Sequence, residues 1–203
     1  METIQELFRQ GGIMMYPLLF SSILALAVSI EKFLTLKTSK IIDPKILSVL
    51  DAIKSNEDIN VAKNVCKSNL GVFSNIVLVA LEYREESQEQ IRQILNDQGR
   101  QEVRVLESRL GILETISGIA PLLGLLGTVL GMIQVFKVIA EKGLGNPALL
   151  SGGISEALVT TAVGLVIGIL ALISFNYFDN KANSIILDIE KYSTELVLKL
   201  SKL

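Results

Sequence analysis

The stretch from Ser117 to Ile133 reads SGIAPLLGLLGTVLGMI and decides the fold of this 203-residue chain. It contains no charged residue, yet glycine recurs along it together with a proline and a threonine. A second apolar stretch, GGISEALVTTAVGLVIGILALISF, begins at Gly152 and carries one acid, Glu156, beside the hydroxyls of Thr160 and Thr161. An acid within a membrane span costs about 2.5 to 3.5 kcal/mol or more and by default marks a functional site. We therefore expect the two stretches to pair and to form an ion path.

Composition agrees with a membrane protein, because hydrophobic residues make up 50% of the sequence and the mean hydropathy is +0.50. Three predicted spans of about 20 or more residues are each long enough to cross a bilayer core of about 30 Å. They run from Gly11 to Ile30, from Thr115 to Phe136 and from Pro147 to about Phe178. A cleaved secretory signal is the alternative interpretation of the first span, but acidic residues precede it and no small-residue cleavage site follows it. We expect it to remain as an anchor.

Lysine and arginine are distributed unevenly among the segments that join the spans, and this bias predicts the orientation. The segment before span one contains only Arg9, and the hairpin after span two contains only Lys142. The loop between spans one and two is rich in cations, namely Lys37, Lys40, Lys45, Lys54, Lys63, Lys67, Arg84, Arg92, Arg100, Arg104 and Arg109. We therefore expect this loop and the C-terminal tail in the cytoplasm, and the N-terminus and the hairpin on the outer side of the membrane.

The predicted fold class is an all-α membrane protein with three transmembrane helices, two of them very long and extending into a helical cytoplasmic domain. The predicted segments are an outward-facing amphipathic start (1–10), transmembrane helix 1 (11–34), a cytoplasmic helical insert (35–110), transmembrane helix 2 (111–140), a periplasmic hairpin (141–146), transmembrane helix 3 (147–178) and a cytoplasmic C-terminal helix (179–203). No low-complexity linker or separate globular domain interrupts them.

The insert is expected to be helical throughout. Asp43 and Pro44 supply a capping side chain and a first helical residue, and residues 72–83 have amphipathic spacing. From Gln88 no strong breaker occurs, so the pattern predicts one helix that continues to about Ala140, roughly 80 Å long. The tail carries an apolar stripe expected to pack on other helices, formed by Ile185, Ile186, Ile189, Leu196 and Leu200.

Small and polar residues occupy one face of each of the last two spans. These faces are Pro121, Gly124, Thr128 and Gly131 on the second span, and Glu156, Thr160, Gly164 and Gly168 on the third. The spacings Gly127-x-x-x-Gly131 and Gly164-x-x-x-Gly168 allow two helix backbones to approach closely in lipid. The alternative is that the glycines only pack and the threonines only bond to carbonyls one turn back.

Helix rise predicts the relative depth of the polar residues. Counted from the outer ends of the two helices at 1.5 Å per residue, Thr128 lies about 18 Å down and Thr161 about 21 Å down. Glu156 lies about 13 Å down on the same count, roughly two turns shallower than Thr161. The two threonines are therefore expected at one level, with the acid toward the outside.

Several function classes are disfavoured by composition. The net charge is −2 and the charges are mixed along helical faces, so no basic block suited to nucleic acid is present. Cys66 is the only cysteine and the chain has no histidine, which excludes an internal disulfide and a Cys/His metal site. No nucleophile and base pair or phosphate-binding loop is apparent, so we expect no enzyme activity, cofactor or metal.

The motif APLLGLLGTVLGMI at residues 120–133, followed by GISEALVTTAVGL at residues 153–165, closely resembles the ExbB/TolQ/MotA family of proton-channel subunits. The likeness is greatest to the ExbB/TolQ branch and extends over nearly the whole chain. It implies a homopentamer in the bacterial inner membrane, with a central pore that holds single membrane helices of an ExbD- or TolR-like partner.

The resemblance also implies roles for particular residues. In the family the protonated carboxylate, an aspartate, belongs to the partner helix. By motif position Thr128 and Thr161, with Thr160, would line the path at that acid, Glu156 would be the pore-facing glutamate, and Pro121 would mark the inner mouth. Inward proton flow would move the partner and, through it, a TonB- or TolA-like protein that acts on the outer membrane.

Two other interpretations stay open. A motility stator of the MotA branch is disfavoured because that branch has four spans and this chain has three. A passive membrane scaffold would use Glu156 only to anchor a neighbouring subunit by hydrogen bonding. The sequence leaves undecided the branch, the transported substrate, the number of subunits and whether the chain conducts protons alone.

Overall fold

The computed structural model describes residues 11–53, 55–69, 71–143 and 147–201, and this part of the chain is predominantly helical. Its eight α-helices are α1 (Met15–Thr35), α2 (Thr38–Ile41), α3 (Pro44–Ala52), α4 (Asn56–Ser68), α5 (Val72–Glu82), α6 (Gln88–Glu107), α7 (Leu110–Lys142) and α8 (Pro147–Leu200). The predicted amphipathic segment 1–10 and the predicted cap of the third span at Asn146 lie outside the described residues.

Three of these helices contain stretches long and apolar enough to cross a membrane, which confirms the expected number of spans. The stretches are Met15–Thr35, Leu110–Glu141 and Ser151–Leu200. Helix α7 has 33 residues and helix α8 has 54, which correspond to lengths of about 50 and 80 Å. Both exceed the thickness of a bilayer core.

The expectation of one continuous helix from Gln88 to Ala140 is wrong. Helix α6 ends at Glu107, and Arg109 adopts the left-handed conformation with φ of 65° before α7 begins. Lys32 explains the ending, because its buried Nζ donates a hydrogen bond of 2.8 Å to the carbonyl of Leu106. In an unbroken α-helix that carbonyl would accept from the N–H of Leu110. A lysine 74 residues away in the sequence thus replaces the helical donor.

One compact unit consists of the described residues up to Glu31 together with Arg109–Tyr177. A cluster of buried apolar side chains joins α1, α7 and α8 in this unit, namely Met15, Leu18, Ile116, Ala120 and Ala171. At one end of the unit Arg109 pairs with Glu31 at 2.5 Å. Burial of the cluster fixes α1 against the two helices that carry the predicted motif.

The other compact unit consists of Lys32–Ser108 and the described residues from Phe178 onward. Helices α3 to α6 each pack on the next helix in the chain. The aromatic rings of Phe73 and Tyr192 meet edge to face, with their centroids 5.9 Å apart. The predicted cap of α3 is confirmed, because the Asp43 carboxylate accepts from the N–H of Lys45 at 2.9 Å. The predicted apolar face of α5 is buried, and so are four members of the tail stripe, Ile185, Ile189, Leu196 and Leu200.

Candidate functional site

Helices α7 and α8 meet along their small residues, at distances that leave no room for side chains. A Cβ added at Gly164 would lie 2.6 Å from the carbonyl oxygen of Ala120, and one at Gly131 would lie 2.8 Å from that of Gly153. Ordinary van der Waals contact begins near 3.4 Å. The backbones therefore touch directly, as membrane helices do where small residues allow it.

Pro121 lies inside α7 at the same contact. Its ring is half-buried against Gly168, where an added Cβ would approach the ring Cγ to 2.7 Å. Proline has no N–H, so the carbonyl of Ser117 lacks its usual helical donor at this point. The structure thus places Pro121 against α8, at a point where α7 lacks one of its own backbone hydrogen bonds.

Thr128 of α7 and Thr161 of α8 are brought together by the helix contact. Their hydroxyl oxygens are within hydrogen-bonding distance of each other, and both side chains are half-buried. The Thr161 hydroxyl also lies 3.0 Å from the carbonyl oxygen of Gly124 and 3.1 Å from that of Ala157. The Thr128 hydroxyl approaches the same two carbonyl oxygens at 3.4 and 3.3 Å. We call these two side chains the threonine pair.

The threonine pair can exchange its hydrogen bonds without moving the backbone. Each hydroxyl carries one proton and can both donate and accept, and it rotates to suit its partners. Two protons are here shared among two hydroxyl oxygens and two carbonyl oxygens, which belong to different helices. Such a pair can accept a hydrogen bond from an arriving acidic O–H group or donate one to a carboxylate.

Thr160 has different surroundings from the threonine pair. Its side chain is fully buried, and its hydroxyl lies 2.9 Å from the carbonyl oxygen of Gly11 and 2.6 Å from that of Glu156. A Cβ added at Gly127 would lie 2.7 Å from the Thr160 Cβ. Thr160 thus fills the space between α7 and the turn that precedes α1.

Glu156 lies one helical turn before Thr160 on α8 and is half-buried. Like Thr160, it packs on the chain turn that precedes α1. Its carboxyl group contacts the backbone of Gly12, which has a left-handed φ of 62°. The sequence interpretation missed this contact with the Gly11–Gly12 turn. The available signal was the pair of glycines before the first span, since a left-handed turn and a close approach both favour glycine.

Metal binding finds no support in the part of the chain that is described. Among those residues no group of three or more Cys, Asp or Glu side chains is arranged to hold a metal ion. The chemistry available at the α7–α8 contact is therefore that of hydroxyls, backbone carbonyls and one carboxyl group.

Comparison of the sequence with known proteins identifies the family of this chain. Residues 58–191 match the MotA/TolQ/ExbB proton channel family. The chain belongs to this family. It is 35% identical over 177 residues to biopolymer transport protein ExbB-like 1 of Synechocystis, which covers 83% of this chain and 67% of that protein. It is 30% identical over 190 residues to biopolymer transport protein ExbB of Aquifex aeolicus, which covers 94% of this chain and 92% of that protein.

A third relative points to the same branch. The chain is 33% identical over 175 residues to ExbB-like 3 of Synechocystis, which covers 83% of this chain and 81% of that protein. The family match and these relatives confirm the resemblance seen in the sequence and assign the chain to the ExbB branch. With three candidate spans, it is a membrane protein of a proton-channel family.

Proposed function

We propose that this chain is an inner-membrane proton-channel subunit of the ExbB/TolQ type, which works with a single-span partner to convert proton-motive force into mechanical work. The observation that carries the proposal is the threonine pair, Thr128 and Thr161. Two hydroxyls and two backbone carbonyls meet at a contact between two apolar helices. Two valines would fill the same space but would supply neither a hydrogen-bond donor nor an acceptor.

The proposed assembly is a pentamer whose central pore holds membrane helices of an ExbD- or TolR-like subunit. The resemblance to the family supports this arrangement. Each chain would contribute one α7–α8 wall with its threonine pair, Glu156 and Pro121 toward the path, while Thr160 supports the wall from within. Large apolar side chains elsewhere on α7 and α8 are exposed in the single chain and would face lipid or neighbouring copies.

Proton transfer through this site needs a carboxyl group on the partner helix. In its protonated form that group would donate a hydrogen bond to the threonine pair, and in its ionised form it would accept one, because hydroxyls serve either role. A proton moving inward across 100 mV releases about 2.3 kcal/mol. Several protons would thus drive a movement of the partner that acts on a TonB- or TolA-like protein at the outer membrane.

Removal of single hydroxyls tests the proposal. Thr128→Val and Thr161→Val keep the side-chain shape, so we expect the complex to assemble and its proton flux to fall to about a hundredth or less, within the range for loss of a positioned proton-transfer group. Flux would be measured in liposomes that contain the chain and the partner purified with it from its own host. Thr115→Val is the matched control, because that threonine is exposed on α7 and its hydroxyl donates to the carbonyl of Gly111 one turn back in the same helix.

Two results would count against the proposal. Normal flux in a variant that lacks both hydroxyls would show that the threonine pair does not serve the path. Loss of assembly in Glu156→Gln, with normal flux per assembled complex, would favour a passive scaffold that is anchored by this side chain. Mass spectrometry of the co-purified partner would add a direct check, since the proposal requires a single-span protein with an acid in its span.

A further inference from the structure

The Gly11–Gly12 turn is attached to helix α8 at two successive positions on one helix face. The carbonyl of Gly11 accepts from the hydroxyl of Thr160 at 2.9 Å. One residue later, the backbone of Gly12 lies against the carboxyl group of Glu156. Residues 156 and 160 are one helical turn apart, so both contacts lie on the same side of α8.

The side chain of Thr160 has little room to move at this attachment. Its side chain is fully buried, and on its far side it meets Gly127 so closely that a Cβ there would lie 2.7 Å from its own Cβ. The position of the Gly11 carbonyl is therefore set by a residue of α8 that is itself packed against α7.

Gly12 combines two properties that each disfavour a side chain. Its φ of 62° is left-handed, and an added Cβ would lie 2.5 Å from Cδ of Glu156, 3.1 Å from its Cγ and closer still to its Oε1. Gly143 also has a positive φ, 68°, but no described residue lies within 4 Å of an added Cβ there. A positive φ alone therefore accounts for the glycine at position 143, whereas Gly12 also leaves space for a carboxyl group.

We propose that Gly12 is a positioning residue for Glu156. Its bare Cα provides the space that the carboxyl group occupies, and the attachment through Thr160 fixes that space relative to α8. Any larger residue at position 12 displaces the carboxyl group and changes its accessibility. The consequence for proton movement rests on the proposed function, whereas the displacement itself does not.

Chemical labelling of Glu156 tests the displacement directly. The probe is dicyclohexylcarbodiimide, which modifies protonated carboxyl groups, applied to the full-length protein purified with its partner. Mass spectrometry locates the adduct, and Glu156→Gln gives the background. We expect Gly12→Ala to change the labelling rate of Glu156 about twofold or more, the lower end of the coupling between residues in contact. Gly143→Ala, which also places a side chain at a positive φ but without the contact, should leave the rate unchanged.

Thermal stability provides a second measurement that remains informative if Gly12→Ala folds poorly. The contact predicts that Gly12→Ala lowers the melting temperature of the natural protein. In a Glu156→Ala background the colliding atoms are absent, so Gly12→Ala should cost less there than in the natural protein. Equal damage in both backgrounds together with unaltered labelling, or failure of both to fold, would overturn the assignment, because the damage would not depend on the side chain of Glu156.

The two proposals fail in distinguishable ways. Altered labelling in Gly12→Ala together with normal proton flux in Glu156→Gln would support the positioning role and contradict the proposed function of this acid. Unaltered labelling and equal stability costs would contradict the positioning role, whatever the flux of the variants.

Discussion

Replacing Gly164 by alanine tests whether α7 and α8 touch as closely as described. The new Cβ would lie 2.6 Å from the carbonyl oxygen of Ala120 and 2.9 Å from Cα of Gly124. Both are backbone atoms, so no side chain can rotate away. To restore ordinary contact, the two backbones must separate by about 0.8 Å at this point, given the contact threshold of 3.4 Å.

The energetic consequence follows from a comparison with a second glycine. Gly118 also lies in α7, where nothing is within 4 Å of an added Cβ. Gly→Ala in a helix interior gains about 0.5 to 1 kcal/mol from backbone entropy, and this gain should be similar at both sites. Overpacking a tight contact costs about 1 to 3 kcal/mol. We therefore expect Gly164→Ala to be less stable than Gly118→Ala by about 1 to 3 kcal/mol.

The measurement is reversible unfolding of the purified protein in detergent, followed by circular dichroism. A stability for Gly164→Ala equal to or above that of Gly118→Ala would refute the direct backbone contact. Proton flux should fall with stability in Gly164→Ala, because separation of the helices also separates Thr128 from Thr161. Gly118→Ala should conduct normally, since its added methyl group meets none of the described residues of the chain.

Two further predictions concern the Lys32–Ser108 region. Lys32→Met should lower the free energy of unfolding by about 1.5 to 3 kcal/mol, because the carbonyl of Leu106 loses a charged donor. Lys40 is exposed and serves as the control, so Lys40→Met should change the free energy of unfolding little. Equal effects of the two substitutions would contradict the prediction. Burial raises the pKa of the Cys66 thiol to about 11, so its alkylation near pH 8 should be much slower in the folded protein than in the unfolded one. The unfolded thiol ionises first as the pH rises, so stability should fall more steeply between about pH 9 and pH 11 in the natural protein than in Cys66→Ala.

Much of the helical architecture was predictable because it depends on local signals. Asp43 and Pro44 indicate the start of α3. The apolar spacing of residues 72–83 predicts both helix α5 and its buried face. The three candidate spans follow from length and hydropathy. These features require no knowledge of distant residues.

The break between α6 and α7 was not predictable in this way. Ser108 and Arg109 carry no strong helix-breaking signal, and a left-handed arginine is unusual. The cause lies at the end of α1, where Glu31 binds Arg109 and the next residue, Lys32, binds Leu106. A tertiary hydrogen bond to one carbonyl outweighs the local preference for continuation, and periodicity cannot reveal such a bond.

The candidate site likewise has a part that the sequence predicts and a part that it does not. Helix rise and the small-residue faces are enough to place Thr128 level with Thr161, because both depend only on regular helices that run antiparallel. The surroundings of Glu156 and Thr160 depend instead on the Gly11–Gly12 turn, more than 140 residues earlier in the sequence. Both residues lie on one face of α8, yet Thr160 is fully buried and Glu156 only in part.

The close helix contact and the threonine pair are one feature rather than two. The hydroxyl of Thr161 reaches the carbonyl of Gly124 on the other helix at 3.0 Å, and a Cβ on Gly124 would stand 3.0 Å from Cα of Thr161. The hydrogen bond across the helices therefore exists only because position 124 has no side chain. Lipid gives apolar helices no hydrophobic reason to associate, so the close contact between the two backbones is also what holds the helices together. A larger residue at Gly124 must consequently weaken helix association and the polar contact at once, and no substitution there can separate the two effects.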